Sequence, residues 1–182
     1  YNVSLAENII PAADLSEQIS TAGYEASGTS NMKFGLNGAL IIRTQDGANV
    51  EMCERVGAEN MFIFGLTAQQ VEARKRNGEF NAGPEIAASH RLNDVLQAIR
   101  GGVFSHDDPA RYTGLIDALT EYDRFHVCAD FDAYWDAQMR VEHLWHDTDA
   151  WWRAAVLNTA RMGWFSSDRT IREYATEIWK AL

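Results

Sequence analysis

The sequence predicts an α/β fold with a helical C-terminal tail, and three observations carry that expectation. Two short apolar runs of strand length, Ala39 to Thr44 and Met61 to Phe64, alternate with helix-patterned stretches over residues 1–76. After Gly83-Pro84 no strand pattern follows, and residues 77–182 read as a succession of helices. The chain has 182 residues, of which 46% are hydrophobic and 23% charged, enough for one well-formed core and unlike a disordered segment.

Taken in order, Pro11 to Gly23 sets Leu15, Ile19 and Ala22 behind Asp14 and stops at a glycine, so a short amphipathic helix is expected there. Glu25 to Asn37 gathers Ser27, Gly28, Thr29, Ser30 and Asn31, residues of strong turn and N-cap preference, directly ahead of Met32, Phe34 and Leu36. A loop opening into a helix follows from that order. Ala39 to Thr44 is a buried strand closed by Asp46-Gly47, Val50 to Val56 a helix ended by Gly57, and Met61 to Phe64 a second buried strand. Beyond Gly65 a helix runs from Thr67 to Arg76. Strands and helices of these lengths make a parallel sheet joined by helices and covered on both faces.

The tail reads as helices over Glu85–Arg100, Pro109–Tyr122, Asp130–Trp145, Asp149–Met162 and Asp168–Lys180, with Gly101-Gly102 and Pro109 between them. All six tryptophans (Trp135, Trp145, Trp151, Trp152, Trp164 and Trp179) fall here, and packing between long helices is their expected role.

Sixteen Lys and Arg against 26 Asp and Glu give a net charge of −10, which repels phosphate backbones and anionic headgroups and argues against nucleic acid and membrane surfaces as partners. No apolar run approaches the ~20 residues that cross a bilayer, and no signal-peptide pattern opens the chain. The opening residue, Tyr1, is not a methionine, which sets the expectation of a piece of a longer polypeptide. Cys53 and Cys128 show neither a CxxC pairing nor a metal spacing, so two reduced thiols and a cytoplasmic setting are expected. Asn2-Val3-Ser4 matches a glycosylation acceptor but lacks a secretory context.

Chemistry concentrates in the loop before the helix at Met32. Gly28-Thr29-Ser30-Asn31 presents unpaired amides at the positive end of a helix dipole, a place for an anion such as phosphate, with Thr29 or Ser30 as N-cap. With Thr29 as cap, Lys33 lies in the first turn, where the dipole disfavours a cation by roughly 0.3–1 kcal/mol. A lysine partly desolvated among Met32, Phe34 and Leu36 beside a phosphate site suits a phosphate clamp or a Schiff base with an aldehyde cofactor such as pyridoxal phosphate. A snorkelling surface lysine is the plainer reading. Glu25, three residues ahead of the loop, is placed to accept hydrogen bonds from a polyhydroxyl ligand, or to stand as a solvated loop carboxylate.

The block EASGTSNMKFGLN, Glu25 to Asn37, resembles the pyridoxal-phosphate signature of the glycogen and maltodextrin (α-glucan) phosphorylases at every fixed position. The likeness extends through IPAADLSEQIS (Ile10 to Ser20), NGAL (Asn37 to Leu40), DGANVE (Asp46 to Glu51), FIFG (Phe62 to Gly65) and FSSDRTI (Phe165 to Ile171), so it covers essentially the whole chain. The chain is similar in particular to the C-terminal portion of a bacterial member.

The resemblance implies that Lys33 carries pyridoxal 5'-phosphate as a Schiff base. It implies that Gly28 and Thr29 hold the cofactor phosphate through backbone amides, the Thr29 hydroxyl assisting. Glu25, Ala26, Ser27 and Gly28 would line the glucosyl site. The implied reaction transfers a terminal α-1,4-linked glucosyl unit to inorganic phosphate, giving glucose 1-phosphate with retained configuration; the cofactor's phosphate assists proton transfer to the departing glycosidic oxygen.

The implied architecture is the GT-B arrangement of two Rossmann-like domains. This chain would supply the C-terminal part of the second, with residues 1–76 carrying the cofactor lysine and residues 77–182 mainly helical. The parent would be a homodimer. The groups gripping the substrate phosphate would lie upstream, leaving the isolated chain inactive, and a non-catalytic module that binds at most phosphate or pyridoxal phosphate is the alternative reading. Two departures from relatives stand out. Arg43 occupies a strand position where glycine is usual and must leave the sheet or find a partner, and Tyr24 is larger than its counterpart and expected at the sugar pocket.

Other constellations carry less. His143 and His146 are two ligands short of a metal site. Asp130 and Asp132 are read as helix-start carboxylates, Ser166 to Asp168 as another helix start, and Asp107-Asp108 as a solvated turn. Neither GxSxG nor GxGxxG occurs, which leaves serine hydrolysis and dinucleotide binding unsupported.

Overall fold

A computed structural model describes residues 2–181. Three strands form one sheet in the order β1-β2-β3: β1 (Leu15–Gln18), β2 (Leu40–Arg43) and β3 (Phe62–Ile63). Both pairings are parallel, Leu15 opposite Leu40 and Ile42 opposite Phe62. The connections are α2 (Ser30–Leu36) and α3 (Asn49–Val56), as the alternation of short apolar runs with helical patterns predicts.

The helix expected over Pro11 to Gly23 is absent. Helix α1 (Val3–Ala12) comes earlier, with the Asn2 side chain accepting the Leu5 amide at 3.0 Å, and Pro11 sits in its last turn, where a missing amide and a bulky ring end it. The next residues are extended because β2 offers them an edge: Leu15 to Gln18 pair with Leu40 to Arg43. Asn2 of the glycosylation-like triplet is thus a helix cap.

Strand β2 is buried along its whole length, and its alternation divides the core. Leu40 and Ile42 join Phe62, Phe64, Ala137, Val141 and Trp151 on one face, covered by α8 (Val127–Trp145) and α9 (Thr148–Arg161). Ile41 joins Met52, Val56, Met61 and Met162 on the other. Each buried Val, Leu, Ile, Phe or Met side chain among them contributes ~1.5–3 kcal/mol. Helix α2 lies against α9 and the turn that follows it, where a β-carbon on Gly35 would stand 3.0 Å from Met162 Cε.

The rest is helical: α4 (Ala68–Asn77), α5 (Gly83–Ala88), α6 (His90–Arg100), α7 (Thr113–Glu121) and α10 (Ser167–Glu173), followed by a wide turn over Tyr174–Ile178. Ala82, Leu92, Leu96 and Ile116 form a separate core with Cys128 at the start of α8. The single helix expected over Glu85 to Arg100 is two, broken at Ser89. Its hydroxyl accepts the Leu92 amide at 3.1 Å and donates to Asp132 at 2.9 Å, making a cap out of a mid-pattern residue.

The tryptophans depart from expectation as well. Trp151 is buried, but Trp145, Trp152 and Trp179 are more than half exposed. Trp164 is flanked by two guanidinium groups, Arg55 at 3.5 Å and Arg169 at 3.8 Å from its ring centre, an arrangement of cation and ring rather than of helix on helix. No helix of the described residues is long and apolar enough to cross a membrane.

Candidate functional site

The loop between β1 and α2 carries the predicted site residues, and the Asp46-Gly47 turn after β2 supports it from behind. The Asp46 carboxylate, nearly fully buried, accepts four hydrogen bonds: Oδ1 from the amides of Gly23 (2.8 Å) and Gly47 (2.9 Å), Oδ2 from the Ser20 hydroxyl (2.9 Å) and the Glu25 amide (2.8 Å). The Ala48 amide donates to Ser27 O at 2.8 Å. Loop and turn therefore form one hydrogen-bonded unit at the C-terminal ends of β1 and β2, where open parallel sheets present their ligands.

Helix α2 begins at Ser30 with Thr29, one of the two residues that the sequence offers, as its N-cap, but the Thr29 side chain makes no capping bond. Thr29 has φ −119° and ψ −15°, not the extended conformation in which a cap hydroxyl turns back onto the helix. The Met32 amide is taken instead by Asn31 Oδ1 at 2.8 Å. Among the described residues the amides of Gly28, Thr29 and Ser30 donate to no protein acceptor. That set of free donors suits an oxyanion.

Lys33 differs from its expectation in two respects. It is the fourth of seven helical residues and belongs to the last turn as much as the first, so the dipole does not single it out. It is also exposed rather than embedded in an apolar patch. Asn31 and Gly35 are the buried residues of α2 and Met32 packs on the Ile41 core, and the helical repeat turns Lys33 away from both.

A cavity of about 490 Å³ brings Lys33 together with Glu25, Gly28, Thr29 and Ser30, and α1 closes its far side with Leu5, Ile9 and Ile10. Ala26 and Ser27 lie outside its lining. Glu25 also borders a second cavity of about 590 Å³, walled by aromatic rings that include Tyr24, Phe64, Phe131 and Tyr134. Tyr24 therefore faces this neighbouring space and not the one with Lys33. Its ring lies 3.9 Å from the Lys75 ammonium and meets Phe125 edge-on at 5.8 Å.

Asp130, on the same aromatic cavity, lies in the first turn of α8 as expected for a helix-start carboxylate, but it caps no amide of that helix. Its Oδ1 accepts the Leu66 amide at 2.7 Å, and burial pushes its carboxyl above the usual carboxylate range, an effect that the Leu66 bond opposes. Asp123 caps α8, accepting the amides of Val127 (2.9 Å) and Cys128 (2.7 Å).

Arg43 stays inside the fold, fully buried. Its Nη1 donates to Asn49 O, while Nε and Nη2 have no partner. No group of three or more His, Cys, Asp or Glu suited to a metal ion occurs among the described residues.

Two contributors to this site escape the sequence reading. Helix α1 shows itself only through Asn2 as a cap and the apolar spacing of Leu5, Ile9 and Ile10. Asp46 reads as an ordinary turn residue because three of its four partners lie more than twenty positions earlier.

The model of the family described as carbohydrate phosphorylase matches residues 1–181. The chain is 53% identical over 181 residues to the brain form of glycogen phosphorylase from Bos taurus, a match covering 100% of this chain and 21% of the relative. It is 53% identical over 179 residues to glycogen phosphorylase from Synechocystis, covering 98% of the chain and 21% of the relative. It is 51% identical over 180 residues to glycogen phosphorylase from Haemophilus influenzae, covering 99% and 22% respectively. The chain thus spans about a fifth of the length of the curated relatives it matches.

Proposed function

Because the chain belongs to the carbohydrate phosphorylase family, we propose that it is the pyridoxal-phosphate-bearing part of an α-glucan phosphorylase. The complete enzyme transfers a terminal α-1,4-linked glucosyl unit to inorganic phosphate and releases glucose 1-phosphate. One observation carries the reading: Lys33, Gly28, Thr29 and Glu25 line a single cavity.

The donor set fits the cofactor. The amides of Gly28, Thr29 and Ser30 form an anion cradle for its phosphate, and Lys33 supplies the amine that joins its aldehyde. When bound, pyridoxal phosphate supplies a phosphate group that assists proton transfer to the departing glycosidic oxygen. Glu25, on the same cavity, accepts a hydrogen bond from a glucosyl hydroxyl, whereas Ala26 and Ser27, expected beside it, lie outside that lining. Gly28 has φ +71°, a conformation that lets this backbone turn from the sugar side to the phosphate side without a side chain in between.

The remaining polypeptide supplies the groups that grip the substrate phosphate. In this reading the chain is the C-terminal part of the second Rossmann-like domain of a GT-B enzyme, with residues 1–76 bearing the cofactor site and residues 77–182 the helical part. The enzyme pairs as a homodimer and works in the cytoplasm, a setting that the two unpaired cysteines support. Replacing Lys33 by Ala in the full-length polypeptide abolishes phosphate-dependent release of glucose 1-phosphate from an α-1,4-glucan; retained release overturns the reading.

A further inference from the structure

We propose that Asp46 is the positioning residue for Glu25, setting how the site holds the glucosyl unit; this rests on the reading of Glu25 as the sugar-binding carboxylate. Glu25 is exposed and sits on a loop, and a loop of small residues does not by itself fix a side chain between two cavities. Asp46 fixes it. Its Oδ2 accepts the Glu25 amide at 2.8 Å and the Ser20 hydroxyl at 2.9 Å, while Oδ1 accepts the amides of Gly23 and Gly47.

The four donors come from the end of β1, from both sides of the bend at Gly23 to Glu25, and from the turn after β2. Thr44 adds a bond from its hydroxyl to Ser20 O at 2.7 Å, tying the ends of the two strands together at the same level. Gly47 lets the turn approach: a β-carbon there would lie 2.6 Å from Ser27 O and 3.2 Å from Glu25 O. The Glu25 backbone is therefore held by a buried acceptor anchored to the sheet, the arrangement that keeps a binding group within the tolerance its contact requires.

The test uses the full-length polypeptide and its reaction with glucose 1-phosphate, with Asp46→Asn introduced beside Glu25 and, separately, into a Glu25→Ala background. Asparagine keeps the shape but places an amide donor against two of the four donors. In the Glu25 background Asp46→Asn lowers kcat/KM by about 10- to 100-fold, chiefly through KM. In the Glu25→Ala background it costs less than about 2-fold, because a group acting through Glu25 has nothing left to position.

Labelling of Lys33 by pyridoxal phosphate and borohydride is unchanged by Asp46→Asn, which shows the cofactor side intact. Ser20→Ala, which removes one donor only, gives a loss of about 2- to 5-fold and carries the test if Asp46→Asn does not fold. Equal losses in the two backgrounds, or no loss beside Glu25, overturn the proposal while the function stands. Glu25→Ala with full activity removes the sugar-binding role of Glu25 and the proposal with it.

Discussion

The guanidinium of Arg43 donates to the main-chain oxygen of Asn49 from within the sheet, fully buried, and its Nε and Nη2 find no partner. Burial pushes this guanidinium below its ordinary pKa, an effect that the nearby Cys53 opposes. A buried charge so poorly satisfied costs stability, and an apolar side chain of similar length removes that cost. Arg43→Met is expected to leave stability unchanged or raise it by about 1–4 kcal/mol in denaturant unfolding. A loss of that size would show that the guanidinium is an essential support.

Gly47 is a second point of close approach. It has φ +52°, and a β-carbon there would fall on the Ser27 carbonyl, a main-chain atom that cannot swing aside. Gly47→Ala is expected to cost about 1–3 kcal/mol and to weaken the capture of pyridoxal phosphate at Lys33. Gly38 also has positive φ but meets nothing within 4 Å, so Gly38→Ala carries only the conformational cost and leaves that capture unchanged.

Cys128 is buried beside Asp123, and burial followed by that carboxylate pushes its thiol up to about 12. Its folded value lies above the ordinary 9.0, so the stability it contributes is complete below about pH 9 and is lost as pH rises from there towards 12. Cys128→Ala is expected to reduce that alkaline loss. At pH 8 an alkylating reagent should modify the half-buried Cys53 and spare Cys128 until the chain unfolds. Equal rates in the native chain would contradict the account.

His126 is buried with φ +53°, stacked on Phe80 at 5.6 Å, and its Nε2 has no partner. Burial lowers its pKa, helped by Arg74 and Lys75, while Asp123 and Asp130 pull the other way. A depressed histidine contributes stability above its unfolded value of about 6.5, and that contribution is lost as pH falls through the lower folded value. Melting temperature should therefore drop on acidification below about pH 6.5. Part of the drop should vanish in His126→Asn, since asparagine tolerates the left-handed backbone and does not titrate. An unchanged acid slope would rule His126 out as its source.

How much of this was legible in the sequence varies by element for physical reasons. Strand β2 announces itself because Leu40 to Ile42 are apolar and buried on both faces. Strand β1 does not, since Leu15-Ser16-Glu17-Gln18 holds one apolar residue and becomes a strand only because β2 has an edge to share. Ser89 looks like a residue inside a helix until Asp132 arrives from α8 to accept its hydroxyl. The run of small residues around Gly28 is visible because the loop's chemistry is local, and Lys33 with it. What a lysine in that motif would face depends on α1, and what steadies Glu25 depends on Asp46; both are long-range facts that spacing along the chain does not encode.

Reduction of the 182-residue chain with borohydride after incubation with pyridoxal phosphate, followed by peptide mapping, tests the central claim most directly. The chain has only three lysines, Lys33, Lys75 and Lys180, so the outcome is unambiguous. A preformed cofactor site places the phosphopyridoxyl group on Lys33, near one per chain, and Lys33→Ala abolishes it. Labelling spread evenly over Lys33, Lys75 and Lys180 would contradict the account and leave a folded module whose cavity binds at most a phosphate.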